Sequence, residues 1–465
     1  MDDPILLQPA ARANGAGVAQ DGIMGVKVPC MITTFERVPL AVVLIGGLAL
    51  AAGPGAAAAQ TCPEPASLTA GLTLPMAAVR YLADDALDGR LAGSAGEQCA
   101  GDYIAREFAR MGLRPGGEHD TFFQAVPLAS AINPHAPAGT GRNVIAILDG
   151  ADDRLTHEWV VVGAHYDHLG EGAPGSLAPG ERAIHNGADD NASGVAAILW
   201  TAETLARGPR PARTIVFVAF TGEESGLLGS AHYVAHPASG GDPMVAMINL
   251  DMVGRLGAGP LIVYGVGTAE EWTSLVEPAA ARAGVAVATR TEGYGPSDHT
   301  SFYLKDVPVL HFFTNTHGDY HKPSDDWPKI DTAGLSRVAA MVADVTAAVA
   351  STRPALTLRR GAGEPPRPAS EPGQGYGAWL GSVPDFTPVD RGVKLSGVTV
   401  GSPGATAGLR AGDVVLAIGT HEVTDLQAMT DALRAHKAGD VVDVRVLRGD
   451  EMVTLRVTLG DRSTR

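Results

Sequence analysis

The sequence predicts an α/β protein, a mixed, mostly parallel central sheet flanked by helices, with a small β-rich module behind it. Three observations carry this prediction. Short apolar runs alternate with segments of helical period between residues 75 and 350, the pattern of strands connected through helices. One run, Thr214–Phe220 (TIVFVAF), is apolar on both faces, as a strand inside a parallel sheet has to be. A proline-rich break at 352–375 is followed by residues 376–460, a stretch long enough for a second, smaller domain.

The elements follow in order. Residues 75–113 read as helices, with Tyr103, Ile104, Phe108, Met111 and Leu113 at helical spacing and Pro115-Gly116-Gly117 stopping the run. Strand-like runs come at 121–126, 143–148 and 159–164. A long helix fits 194–206, with Ser193 as its N-cap. Residues 247–251, Leu261–Tyr264 and 308–313 resemble the central strand, and helices fit 269–283 and 332–350. Arg367-Pro368-Ala369-Ser370-Glu371-Pro372-Gly373 lacks any core pattern and reads as linker. Beyond it, 426–433 looks helical, and 441–447 and 452–459 look like strands.

Ahead of the first domain lies a leader, residues 1–59. Arg37 precedes an apolar run at 38–52, and Ala57-Ala58-Ala59 offers a small-x-small cleavage site, so 31–59 reads as a secretory signal peptide. The run is short for a membrane span, which takes about 20 residues, and no stable anchor is expected after cleavage. Cys62 stands too far from the cleavage site for a lipoprotein. Residues 1–30 do not resemble the front of a signal peptide; they are a mis-called start, Met31 being the true one, or a disordered extension. The expected location is periplasmic or secreted. Of three cysteines, Cys30 leaves with the leader. An oxidising compartment would let Cys62 and Cys99 pair, two free thiols being the alternative. The expected boundaries are thus leader 1–59, main domain 60–351, linker 352–375, small domain 376–460 and tail 461–465.

Formal net charge is −16, and loss of residues 1–59 leaves −15. No basic stripe is present, which excludes nucleic acid as a partner.

The chemistry lies in five stations. Residues 163–168 read GAHYDH, 187–194 GADDNASG, 221–226 TGEESG, 249–254 NLDMVG and 319–323 DYHKP. They supply His165 with Asp167, Asp190, the pair Glu223-Glu224, Asp251 and His321. Each has a bland reading as a polar turn or a solvated acidic pair. Together they follow the ends of apolar strands, where open α/β sheets gather their ligands. In His165-x-Asp167 the carboxylate can accept the second ring proton of a metal-binding imidazole. An acid such as Asp251, closing an apolar strand, needs a cationic partner. Imidazole and carboxylate donors without cysteine suit Zn²⁺, with Mn²⁺ or Co²⁺ as substitutes.

The region from about Leu82 to Ala350 resembles the co-catalytic di-zinc aminopeptidase family, which also holds glutamate carboxypeptidases and glutaminyl cyclases. Residues 87–96 (LDGRLAGSAG) and Ser297-Asp298-His299 with Phe302 resemble further signatures of that family. The resemblance implies two zinc ions per chain: one on His165, Asp190 and Asp251, the other on Asp190, Glu224 and His321. It implies Glu223 as general base, Asp190 rather than Asp189 as the bridge, a cis peptide after Asp190, and Tyr320 as a stabiliser of the oxyanion. A related di-zinc family inserts a dimerisation domain between the fourth and fifth stations; the stretch from Asp251 to His321 is too short for it. Most of His168, His185, His299, His311 and His317 are expected to be structural or to hold a ligand in place, with His299 the best candidate for the latter.

The C-terminal stretch, with YGAWLGSVPDF at 376–386 and AGLRAGDVV at 407–415, resembles a bacterial PDZ domain. Such a domain takes a peptide as an added strand and captures its C-terminal carboxylate on backbone amides. Trp379-Leu380-Gly381-Ser382 would be the carboxylate loop, Ser382 departing from the usual apolar position; a packing module without ligand is the alternative. The expected function is an exported metallopeptidase acting on peptides with a free N-terminus. The alternatives are a carboxypeptidase or glutaminyl cyclase on the same scaffold, or a non-catalytic peptide-binding protein working through the PDZ domain.

Overall fold

A computed structural model describes residues 61–128, 139–172, 175–178, 181–363, 378–387 and 389–461. The leader and signal expected at 1–59 and the second half of the expected linker, 364–375, lie outside the described residues.

The larger sheet has nine strands: β1 (Arg114–Pro115), β2 (Phe123–Pro127), β3 (Thr140–Leu148), β4 (Trp159–His165), β5 (Thr214–Phe220), β6 (Met244–Leu250), β7 (Leu261–Tyr264), β8 (Val287–Thr289) and β9 (Val309–Phe313). Their order is β1-β3-β5-β4-β6-β9-β7-β8, with β2 also on β3. The four central strands β5, β4, β6 and β9 run parallel. β3 and β7 flank them antiparallel. Every residue of β4 and β5 is buried, which explains their unbroken apolar sequence.

The period-two rule sorts the side chains into two cores. Val144, Ala146 and Leu148 of β3, with Ile215, Phe217 and Ala219 of β5, face one layer of helices. That layer holds α1 (Pro65–Leu68), α2 (Met76–Leu82), α3 (Ala95–Arg110), α4 (Gly194–Arg207), α6 (Trp272–Ala283) and α8 (Thr332–Ser351). Ile145, Ile147, Val216, Val218 and Phe220 face the other side, against α5 (Leu228–Ala235) and α7 (His299–Tyr303). By length and composition α8 could cross a membrane, but 61% of that stretch is buried, and it packs on α4 and α6 as a core helix.

One local expectation changes. Ser193 does not cap α4; its hydroxyl donates to the Asp189 carbonyl, while Asn191 Oδ1 accepts from the Gly194 amide at 2.9 Å. The cap moves because Ser193 already has helical backbone angles. β8 and α5 carry no clear signal: β8 has two half-buried residues and one exposed one, and α5 includes Gly229 and Ser230. Cys62 and Cys99 form a disulfide that ties the first described residues to α3.

The second sheet holds β10 (Ser382–Pro384), β11 (Val393–Val398), β12 (Val414–Ile418), β14 (Val441–Arg448) and β15 (Glu451–Thr458) in that order, with β13 (His421–Glu422) on β12. With α9 (Pro403–Ala407) and α10 (Leu426–Arg434) it surrounds a separate apolar core that includes Leu380, Val415, Ile418 and Val444.

Candidate active site

Four adjacent strands deliver the donors. His165 is the last residue of β4, Glu223 and Glu224 follow β5, Asp251 follows β6, and His321 lies on the segment after β9. Parallel neighbours end at the same edge, so residues distant in sequence meet there. Asp190 arrives from the turn before α4.

The distances define two groups that share one residue. His165 Nε2 lies 3.2 Å from Asp190 Oδ1 and 3.3 Å from Asp251 Oδ1. His321 Nε2 lies 3.1 Å from Asp190 Oδ2 and 3.3 Å from Glu224 Oε2. The two oxygens of Asp190 therefore face different imidazoles. Donors bound tetrahedrally to zinc at 2.0–2.2 Å stand about 3.3–3.6 Å from one another, close to the spacing here. Among the described residues, every ion-pair partner of Asp190, Glu224 and Asp251 is a histidine. The donor set fits two cations sharing a carboxylate.

Charge follows the same layout. Burial works against a charge on His165, but Asp251 and Glu223 raise its pKa well above the usual value. Burial likewise opposes the Glu224 carboxylate, yet the two histidines beside it hold its pKa at about 2. Glu223 is pushed well above the carboxylate range by burial, with Glu224 and Asp251 adding to the effect.

The loops are held by groups whose role the sequence did not disclose. Arg90 is fully buried, and its guanidinium donates to the carbonyls of Tyr166 (2.8 Å), Asn186 (2.6 Å), Gly187 (3.0 Å) and Leu82. It thus ties the loop after His165 to the turn carrying Asp190. Gly187 in that turn has φ 53°, and a Cβ there would stand 2.1 Å from the Asp190 carbonyl, so only glycine fits. Asp325, also buried, accepts from the amides of Asp189 (2.9 Å) and Asp190 (3.1 Å). Asp189 points away from the cluster, taking the Gly254 amide and facing His317. The bond between Asp190 and Asn191 is cis, as the resemblance implies.

Two sequence expectations need correction. Asp167 does not hold His165 through its carboxylate: His165 Nδ1 is 3.2 Å from the Asp167 backbone carbonyl and 3.7 Å from Oδ1. The side chain is drawn instead to the Glu223 amide, which donates to Oδ1 at 3.1 Å. His168, expected to be structural or to hold a ligand in place, puts Nδ1 2.8 Å from Glu224 Oε1, leaving Oε2 to His321. It forms a compact donor group with Asp190 and Glu224. His299 touches none of the donors; it stacks on His311 with centroids 4.4 Å apart, and burial drives its pKa down to about 3.

Above the donors opens a pocket of about 520 Å³, its solvent-filled mouth included. Glu223, Asp251 and His321 line its polar side, and Met252, Tyr264, Phe313 and Phe386 its apolar side. Tyr320 also lines it, stacked on His321 at 3.9 Å; burial raises its pKa well above normal, with Asp190 and Glu224 adding to the effect. The sequence gave no signal for Tyr264 or Phe386 as walls of this pocket.

Fold and donor arrangement define an α/β domain with two histidine–carboxylate groups, able to hold metal, at one edge of its sheet. Residues 143–346 match the model of peptidase family M28, and residues 384–459 match the PDZ domain model. The chain is 29% identical over 276 residues to leupeptin-inactivating enzyme 1 of Streptomyces exfoliatus, covering 59% of this chain and 55% of that protein. It is 30% identical over 237 residues to aminopeptidase YwaD of Bacillus subtilis, covering 48% of each. The chain thus spans about half the length of the curated relatives it matches. Among solved structures, a zinc aminopeptidase from Bacillus subtilis aligns with TM-score 0.48 and 20% identity, over 67% of this chain and all of that one. Porphyromonas gingivalis glutaminyl cyclase aligns with TM-score 0.48 and 22% identity, over 58% of this chain and 96% of that one.

Proposed function

We propose that the chain is a zinc metallopeptidase that removes residues from the free N-termini of peptides, with two zinc ions per chain. One observation carries the reading: the two oxygens of Asp190 face two separate imidazole–carboxylate groups. His165, Asp190 and Asp251 would hold one ion, and Asp190, Glu224 and His321 the other. Bound zinc supplies a water of near-neutral pKa and polarises the scissile carbonyl.

The chain's own groups do the rest. Glu223, lining the pocket beside the donors, takes the proton of the attacking water and passes it to the leaving amine. The Asp167 carboxylate fixes the Glu223 amide and so the direction of that loop. Tyr320 keeps its proton, because burial raises its pKa, and can donate to the carbonyl oxygen as negative charge develops. Carboxylates around the pocket favour a protonated α-amine, which supports the N-terminal reading over a carboxypeptidase. Export is supported by the Cys62–Cys99 disulfide, since such bonds persist in oxidising compartments. The PDZ domain would bind the C-terminal carboxylate of a peptide.

Metal analysis of purified protein, with a panel of free and N-acetylated aminoacyl reporters, tests the reading. Two zinc ions and hydrolysis confined to free amines are expected. Hydrolysis of acetylated substrates alone would assign a different exopeptidase, and a single ion with cyclisation of N-terminal glutamine a glutaminyl cyclase.

A further inference from the structure

We infer that the C-terminal module supplies one wall of the substrate pocket, and that Phe386 selects the side chain of the residue to be removed. The inference rests on the peptidase reading of the site. Phe386 lies just beyond β10, on the second sheet's side of the linker, yet it lines the same pocket as Glu223, Asp251 and His321. Its ring meets Phe313, the last residue of β9, edge to face, with centroids 5.4 Å apart. Met252, Tyr264 and Phe313 form a small apolar cluster against which Phe386 packs.

Phe386 is held from the peptidase side through its own backbone. Its amide donates to Asn315 Oδ1 at 2.9 Å, and its carbonyl accepts from Arg290 Nη2 at 3.1 Å. The same Asn315 donates to Asp385 Oδ1 at 2.5 Å and to Thr387 Oγ1 at 3.0 Å. Thr316 bonds the Ser396 hydroxyl of β11 at 2.8 Å. The strap 384–387 is therefore part of the pocket's construction.

The chemistry of the lining identifies what enters. An α-amine is drawn to the carboxylates, and the side chain beside it meets Met252, Tyr264, Phe313 and Phe386. That surface hydrogen-bonds little and rewards apolar contact. Leucine, methionine and phenylalanine reach it, whereas the methyl group of alanine falls short.

The test is a kcat and KM survey of the full-length chain on glycyl, alanyl, leucyl, methionyl and phenylalanyl reporters. Phe386→Ala should lose about tenfold or more in kcat/KM on the leucyl, methionyl and phenylalanyl reporters, chiefly through KM. It should stay within about twofold on alanyl. Phe386→Leu should recover most of the loss. Zinc content and thermal midpoint of both variants, measured in parallel, certify the fold. An unchanged profile for Phe386→Ala, or an equal loss on every reporter, overturns the assignment. Failure of the wild-type chain on all free aminoacyl reporters would instead refute the peptidase reading beneath it.

Discussion

Replacing Arg90 with methionine should destabilise the protein by roughly 3–5 kcal/mol, the range for breaking a buried charged network. Four backbone carbonyls depend on this one guanidinium, those of Leu82, Tyr166, Asn186 and Gly187. A hydrogen bond from a charged donor contributes about 1.5–3 kcal/mol, so four amount to roughly 6–12 kcal/mol. Against this stands the relief of burying a cation, several kcal/mol. Burial lowers the Arg90 pKa to about 10, while Asp167 and Asp190 oppose the shift, so the group stays charged at neutral pH. Methionine fills a similar volume with no donor. Urea unfolding should show a lower midpoint with an unchanged slope, and a competition titration should show weaker zinc binding, because the Asp190 turn loses its tie to the His165 loop. Lysine, a compact point charge without the planar fork, should recover less than half of the loss. A change under about 1 kcal/mol for Arg90→Met would refute this account, since it lies below the cost of one orphaned buried carbonyl.

Further outcomes follow from other groups. Glu223→Gln should cut kcat by about 10²–10⁴ while two zinc ions remain by elemental analysis; normal turnover would remove Glu223 from the role of base. His168→Ala should weaken zinc binding about 10–100-fold, because Glu224 Oε1 loses its imidazole partner; equal affinity in a dye-competition assay would deny that role. Replacing both Cys62 and Cys99 with serine should cost about 4 kcal/mol by loop entropy for a separation of 37 residues, read as a fall in thermal midpoint that reducing agent reproduces in the wild type. Glu97 is buried, and burial pushes its pKa up to about 7 from 4.5, partly opposed by hydrogen bonds from Thr221 and Gly93. A raised carboxyl favours the folded state while protonated, so that contribution is whole below pH 4.5 and declines until pH passes 7, by about 3 kcal/mol in all. Glu97→Gln should flatten that stretch of the stability profile, and an unaltered profile would count against it.

The donors were legible because each follows a strand that is apolar throughout. Parallel neighbours share an edge, so the sequence order of His165, Glu224 and Asp251 already implied their meeting. Direction of a side chain was not legible. Asp167 sits two residues from His165 in the expected spacing, yet its carboxylate turns to the Glu223 amide, a choice made by a loop on another strand. His168 shares GAHYDH with His165, and nothing in that string distinguishes a structural histidine from one held against Glu224. Arg90 was visible only as part of LDGRLAGSAG, since four carbonyl partners leave no trace in composition. Phe386 was hidden most deeply: it lies on the far side of a proline-rich break, and no local pattern says that the second module folds back onto the first.

The segment from Asn315 to His321 belongs to both halves of the molecule. One end is fastened to the strap and strands of the smaller sheet, and the other carries an imidazole of the candidate metal pair. Melting of the small module would unfasten a donor, and loss of metal would slacken the seam. The two apolar cores should then unfold in a single calorimetric transition, and a chain cut at the linker would be a changed protein instead of a shorter version of the same one.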